Sequence, residues 1–255
     1  MTTSNPEFTA QRRLGKFFER DDGADFPFYA GQPIEIAAWK WIVMILAAAA
    51  GFLALSLIPA GSNLAQLGVR ILFVAIPLAA FIAFTGKWWR CIFRPLHGRD
   101  LLTILAFWLI NLALTGLVAA VLNGLDPGHL VANQAADGLT TAGDLAFFYV
   151  GTFIQLFGEE LFSLIPFLAV LYFAYSKAGL SRTASVLIAW VVTAIWFGAA
   201  HLPTYDWNVL QCFLVIGLAR IVLTLAYIRT KNILVAFGAH LLVDWAIFTV
   251  TLIAG

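Results

Sequence analysis

Charge is the scarcest feature of this chain. Of 255 residues only 11% are Asp, Glu, Lys or Arg, against roughly a quarter in soluble domains, so the chain cannot clothe a water-facing surface. Its 15 basic and 14 acidic residues leave a net charge of +1. That excludes a general electrostatic attraction to nucleic acid, and no nucleic-acid partner is expected. Cysteine is nearly missing: Cys91 falls in a predicted loop and Cys212 in a predicted membrane span. A disulfide between them is therefore not expected, and no CxxC or Cys/His pattern suggests a structural zinc site. The first 35 residues carry no sustained apolar run, so a cleavable signal peptide is not expected and 1–35 reads as a retained polar tail. Internal repeats and low-complexity linkers are also missing, so residues 36–255 read as one domain.

What the chain has in quantity is apolar side chains, 62% of the total, with a mean hydropathy of +0.89. They form seven runs, at about 36–58, 67–84, 101–122, 145–175, 183–201, 209–227 and 233–253. Each is near the roughly 20 residues a helix needs to cross a hydrocarbon core of about 30 Å. The expected fold class is all-α, a polytopic transmembrane helix bundle whose partner is the lipid bilayer. The fourth run is too long for one straight span and contains Gly151, Gly158 and Pro166. It is expected to be kinked or split, and splitting it would make an eighth span.

Short loops rich in Lys and Arg stay in the cytoplasm. Lys87, Arg90, Arg94 and Arg99 follow the second run, Lys177 and Arg182 the fourth, and Arg229 and Lys231 the sixth, whereas 59–66, 123–144 and 202–208 contain no Lys or Arg. The tail is thus expected in the cytoplasm and the C-terminus outside, in the plasma membrane (the inner membrane of a bacterium). Trp88, Trp89 and Phe93 beside the basic residues of 85–100 suit a headgroup-level anchor. In the tail, Arg12, Arg13, Lys16 and Arg20 alternate with Leu14, Phe17 and Phe18. Such a segment can rest on an anionic leaflet, or it can be a mobile tail, since Asp21, Asp22 and Asp25 dilute the basic patch.

Inside the spans the ionisable residues are Arg70, Glu159, Glu160, His201, Arg220, His240 and Asp244. Arg70 lies near an outer end, where it can snorkel. The others are expensive at bilayer depth, so they are expected to face the protein interior and mark a functional site. His240 and Asp244 are four apart and share a helical face, as do Phe197 and His201. Glu159 and Glu160 are about 100° apart around a helix, so one is expected to face a cavity and the other to be held by a second partner. Gln155, one turn before Glu159, and Trp196 read either as cavity lining or as core.

Glu159-Glu160 in GEELFSL, Phe197-x-x-x-His201 in WFGAAHLP and His240-x-x-x-Asp244 in GAHLLVDW resemble the three ordered motifs of the CAAX protease and bacteriocin-processing membrane peptidases. This family (CPBP) includes the type II CAAX prenyl endopeptidases and the bacterial Abi proteins. The segment ARIVLTLAYIRTKNILVAFGAH is similar to the family's approach to its third motif. The resemblance covers about 145–245, and one departure stands out: where the family's first motif, Glu-Glu-x-x-x-Arg, has Arg, this chain has Leu164. Arg220, the basic residue deep in the sixth run, is a candidate to replace it beside Glu160. The alternatives are a neutral, protonated Glu160 or a chain that has lost catalysis.

The resemblance implies an intramembrane peptidase acting on membrane-associated peptides or proteins without a cofactor. Glu159 would be the general base for a water that His201 helps to hold, and His240 and Asp244 would stabilise the oxyanion. Phe197 and Arg220 are placed in support. Glu159, His201 and His240 would also make a zinc ligand set with one open position. The rival readings are a non-catalytic membrane scaffold or immunity protein and a proton-coupled transporter. Counted at about 1.5 Å per residue, His240 lies about 12 Å from the cytoplasmic end of its span and His201 about 27 Å. A shared site therefore calls for a fifth helix that is tilted, broken or begun in the cytoplasm.

Overall fold

The computed structural model describes residues 13–133, 135 and 138–254; Arg12 of the basic tail cluster lies outside them. Seven helices run through it: α1 (Ala38–Leu57), α2 (Asn63–Thr85), α3 (Gly98–Leu125), α4 (Ala142–Tyr172), α5 (Arg182–Ala200), α6 (Gly217–Thr230) and α7 (Ile233–Ala254). Among the described residues there is no strand, and all seven helices, with the turns that extend them, are long and apolar enough to cross a membrane. The chain is an integral membrane protein with an all-helical fold. Local chemistry marks the helix starts. Ser62 and Ser181 accept hydrogen bonds from the amides of Ala65 and Ala184, and Thr141 and Asp144 form a reciprocal capping box, satisfying donors that a helix start leaves free.

The bundle is organised around α4, which touches α1, α2, α5 and α7, while α6 bridges α3, α5 and α7. Of the apolar stretch of α4, 83% is buried, against 17–56% in the other spans, which makes α4 the shaft and leaves its neighbours facing lipid. The fourth run is therefore one span and not two. It is unbroken to Tyr172 and continues into a π turn, Phe173–Lys177. Pro166 leaves the carbonyl of Phe162, four residues back, without its helical donor, and the Trp196 indole N–H donates to that oxygen at 3.1 Å. Trp196 thus acts in the helix framework. The two glycines allow close approach: a Cβ on Gly158 would stand 2.7 Å from the Phe73 ring, and one on Gly151 1.8 Å from the Arg70 guanidinium.

Residues 13–35 do not hang free. They pack over the end of the bundle that carries the basic loops. The Glu19 carboxylate, 0% exposed, accepts from Arg182 at 2.8 and 2.7 Å and from Lys231 at 2.6 Å, tying the segment to the start of α5 and the end of α6. Burial alone would push the Glu19 carboxyl up, but those cations outweigh it and hold it at about 2. Burial brings Lys231 down to about 8 against the opposing pull of Glu19. The Phe26 ring lies 5.4 Å from Phe167 and 6.1 Å from Tyr227, and Phe28 lies 5.9 Å from Phe81. Aromatic burial and a desolvated ion cluster together explain why a polar segment is ordered here; the partners of Glu19 are far away in sequence. Beside it, the 3₁₀ turn Gly86–Ile92 sets Lys87 over Trp88 and Arg90 over Trp89.

Candidate active site

The site is assembled around one imidazole. His240 lies one to two turns into α7 and is 4% exposed. Its Nδ1 is 2.8 Å from Glu160 Oε1, and its Nε2 is 3.7 Å from Glu159 Oε2 and 3.8 Å from Asp244 Oδ1. The 100° between Glu159 and Glu160 does not send them to separate places, because a flat ring with nitrogens on two edges lets adjacent carboxylates approach it from two sides. A carboxylate at Nδ1 draws the ring proton to that nitrogen.

Glu160 is the deeper of the two, and its side chain is held by α6. Arg220 donates to Oε1 at 2.9 Å and Oε2 at 3.2 Å, a bidentate pair with exposures of 1% and 4%. Arg220 also donates to Ser163 Oγ at 3.2 Å, and Ser163 donates to the Glu159 carbonyl at 2.9 Å. Leu164, where the family has Arg, borders a narrow void shared with Glu160, Arg220 and Tyr227. The cation beside Glu160 comes from α6 and not from α4. Glu159 is 12% exposed and accepts from Gln155 Nε2 at 3.0 Å. Gln155 therefore fixes one oxygen of Glu159 and leaves the other towards His240. Asp244, at 27%, is the most exposed of the three carboxylates.

Phe197 links the remaining residues. Its ring lies 4.4 Å from the His201 ring, 6.2 Å from that of His240 and 5.1 Å from the Arg220 guanidinium carbon. The two imidazole centroids are thus no more than about 11 Å apart. His201 caps the unbroken α5, and its Nδ1 is 2.8 Å from the Phe197 carbonyl. A carbonyl only accepts, so Nδ1 carries the hydrogen and Nε2 of the neutral ring is left as an acceptor. Close approach of α5 to the π turn Gln211–Ile216 that precedes α6 depends on Gly198, where a Cβ would be 2.6 Å from the Cys212 carbonyl oxygen.

Two site neighbours escaped the sequence reading. Ser163 sits one turn after Glu159, a visible spacing, but Ser in a helix so often bonds its own backbone that it carries little signal. Tyr205 stacks on His201 at 6.4 Å and 22°, with Asn133 reaching its hydroxyl at 3.4 Å. It lies four residues past His201, but Pro203 and the turn it starts conceal that relation. Arg70 lies across Gly151 and takes no part in the site. As for zinc, among the described residues no three His, Cys, Asp or Glu side chains are disposed to hold a metal ion.

Residues 141–246 match the family model of the type II CAAX prenyl endopeptidase Rce1-like proteins. No curated protein matches the chain, and no solved structure does. The matched stretch contains all three motifs, Arg220 and most of α4 to α7, and at family level it supports a CAAX-type intramembrane protease. Residues 141–246, which hold every member of the candidate site, are similar to the Rce1-like type II CAAX prenyl endopeptidases.

Proposed function

We propose that the protein is an intramembrane endopeptidase of the CPBP group that hydrolyses peptide bonds of membrane-associated peptides or proteins with water activated by Glu159. The observation that carries this reading is the His240 imidazole, held on Nδ1 by Glu160 and presenting Nε2 to Glu159 and Asp244. Glu159 takes a proton from a water that accepts orientation from His201, and the water oxygen attacks the scissile carbonyl carbon. As the imidazolium, backed on Nδ1 by Glu160 and with Asp244 beside Nε2 as a counter-charge, His240 donates from Nε2 to the resulting oxyanion, a role for which fixed donors in a poorly solvated site are suited. As the carbon–nitrogen bond breaks, the proton on Glu159 passes to the leaving amine. Glu160 and Arg220 touch no reacting atom and keep His240 in position. The reading uses no resident metal.

The rival reading, a non-catalytic scaffold, draws on Leu164. Arg220 weighs against it, because the buried carboxylate still has a bidentate cation. The basic end, with Cys91 in its α2–α3 connection, is taken to face the cytoplasm, and a membrane-impermeant thiol reagent that labels Cys91 from outside intact cells overturns that orientation. The activity is tested by reconstituting the full chain with a panel of quenched membrane-associated peptides. Wild type is expected to cleave, with or without a chelator, and Glu159→Ala and His240→Ala to lose about a hundredfold or more, the usual size of a general acid–base contribution. Turnover retained in both variants refutes the assignment, and loss with chelator alone refutes the metal-free mechanism.

A further inference from the structure

A groove of about 550 Å³ opens between the N-terminal segment and the start of α3, and no residue of the His240 site lines it. Its upper rim carries Lys16, Arg20, Arg99 and Arg229, and its floor is apolar. The rim is not neutralised from within. Arg20 is spent on Asp100, Asp22 is taken by Arg94 at 2.9 Å, and the exposed Asp21, the other acidic residue of the lining, offsets one of the three remaining cations Lys16, Arg99 and Arg229. Arg99, whose guanidinium is 57% exposed and 3.8 Å from Asp22, and the exposed Lys16 leave net positive charge at the mouth. On the floor, Leu102, Ala106 and Ile110 recur every four residues along one face of α3. That stripe descends about 12 Å at 1.5 Å per residue, most of the half-thickness of a hydrocarbon core of about 30 Å. Phe17, 65% exposed and 6.0 Å from the Arg229 guanidinium, sets an aromatic ring beside the cations of the mouth, the combination that suits a headgroup region.

We infer that this groove binds an anionic phospholipid of the adjoining leaflet, with its phosphate among Lys16, Arg99 and Arg229 and one acyl chain along Leu102, Ala106 and Ile110. A free phosphate would satisfy only the rim, and a zwitterionic lipid would leave its positive charge unanswered; a charged head joined to a chain matches both levels. One wall of the groove is the segment that inserts Glu19 between Arg182 and Lys231, so the lipid fastens that segment to α3. The inference stands apart from the peptidase reading.

The test uses the purified full chain in detergent supplied with phosphatidylglycerol, phosphatidylcholine or inorganic phosphate, read by native mass spectrometry and thermal unfolding. Wild type is expected to retain phosphatidylglycerol in preference to phosphatidylcholine and to be stabilised by it and not by phosphate. The double variant Lys16→Gln/Arg99→Gln is expected to lower that preference about tenfold or more, since each basic side chain near a charged surface contributes about 1 kcal/mol. Leu102→Trp, on a residue 69% exposed, keeps the charges but fills the floor, and is expected to lose the retained lipid as well. Equal retention of the two lipids by wild type, unchanged retention in both variants, or equal protection by inorganic phosphate each overturns the proposal.

Discussion

Removal of Arg220 is the most demanding test of the site. Its side chain is 1% exposed, that of Glu160 is 4%, and hydrogen bonds of 2.9 and 3.2 Å join them. Arg220→Met keeps most of the length and the apolar stem but strips a buried carboxylate of its counter-charge, leaving His240 as its remaining hydrogen-bond partner. Truncating one member of a buried pair costs about 3–5 kcal/mol, because the survivor has neither water nor its partner. At about 1.4 kcal/mol per decade, that moves the folding equilibrium by two to nearly four decades. Reversible unfolding in mixed micelles reads this directly. Glu160→Gln/Arg220→Met leaves no orphaned charge and is expected to recover most of the loss, giving a large coupling energy in the double-mutant cycle. Leu164→Arg added to Arg220→Met is expected to recover part of it by another route. Leu164 is one turn past Glu160 and borders the same void, so a guanidinium there can reach the same carboxylate. Arg220→Met within about 0.5 kcal/mol of wild type, the range of an inert surface change, or a double variant no more stable than the single one, refutes the reasoning.

Two further predictions concern the framework. The folded Glu19 carboxyl sits at about 2, below its ordinary 4.5, so its contribution is fully present above that ordinary value. It is lost as pH falls from about 4.5 through about 2, an effect of about 3 kcal/mol by linkage; acid unfolding of Glu19→Gln is expected to lack that part of the slope, and an unaltered slope contradicts the buried pairing. Gly198→Ala would drive a Cβ to within 2.6 Å of the Cys212 carbonyl. Forced overpacking costs about 1–3 kcal/mol, and because His201 caps the same helix, peptidase turnover is expected to fall with stability. Wild-type stability and turnover in this variant show that α5 and the π turn separate freely.

Several features of the site were legible because they are local. His240 and Asp244 are one helical turn apart, and that spacing survives folding as a 3.8 Å approach. Phe197 and His201 keep theirs as a 4.4 Å ring contact. That Glu159 and Glu160 would be held differently was legible, with Arg220 one of three alternatives for Glu160; choosing among those alternatives was not, since adjacent residues on one helix differ only in what their surroundings bring to them. Gln155 reaches one from within α4, and Arg220, 60 residues away, reaches the other from α6. Nor was the role of Trp196 legible: its partner is a carbonyl freed by a proline on another helix.

The sequence by itself determined that this is a helical membrane protein of seven or eight spans with an ionisable cluster in its later spans. Hydropathy over some 20 residues is a sum over neighbours in the chain, and charge in an apolar run is costly wherever the run packs. Tertiary structure alone decided which side chains close on one another: the Glu160–Arg220 pair behind His240, the Phe197 bridge to His201, and the burial of Glu19 between Arg182 and Lys231. Each of these joins residues from different helices or from the N-terminal segment, and their strength depends on desolvation that exists only once the bundle has formed.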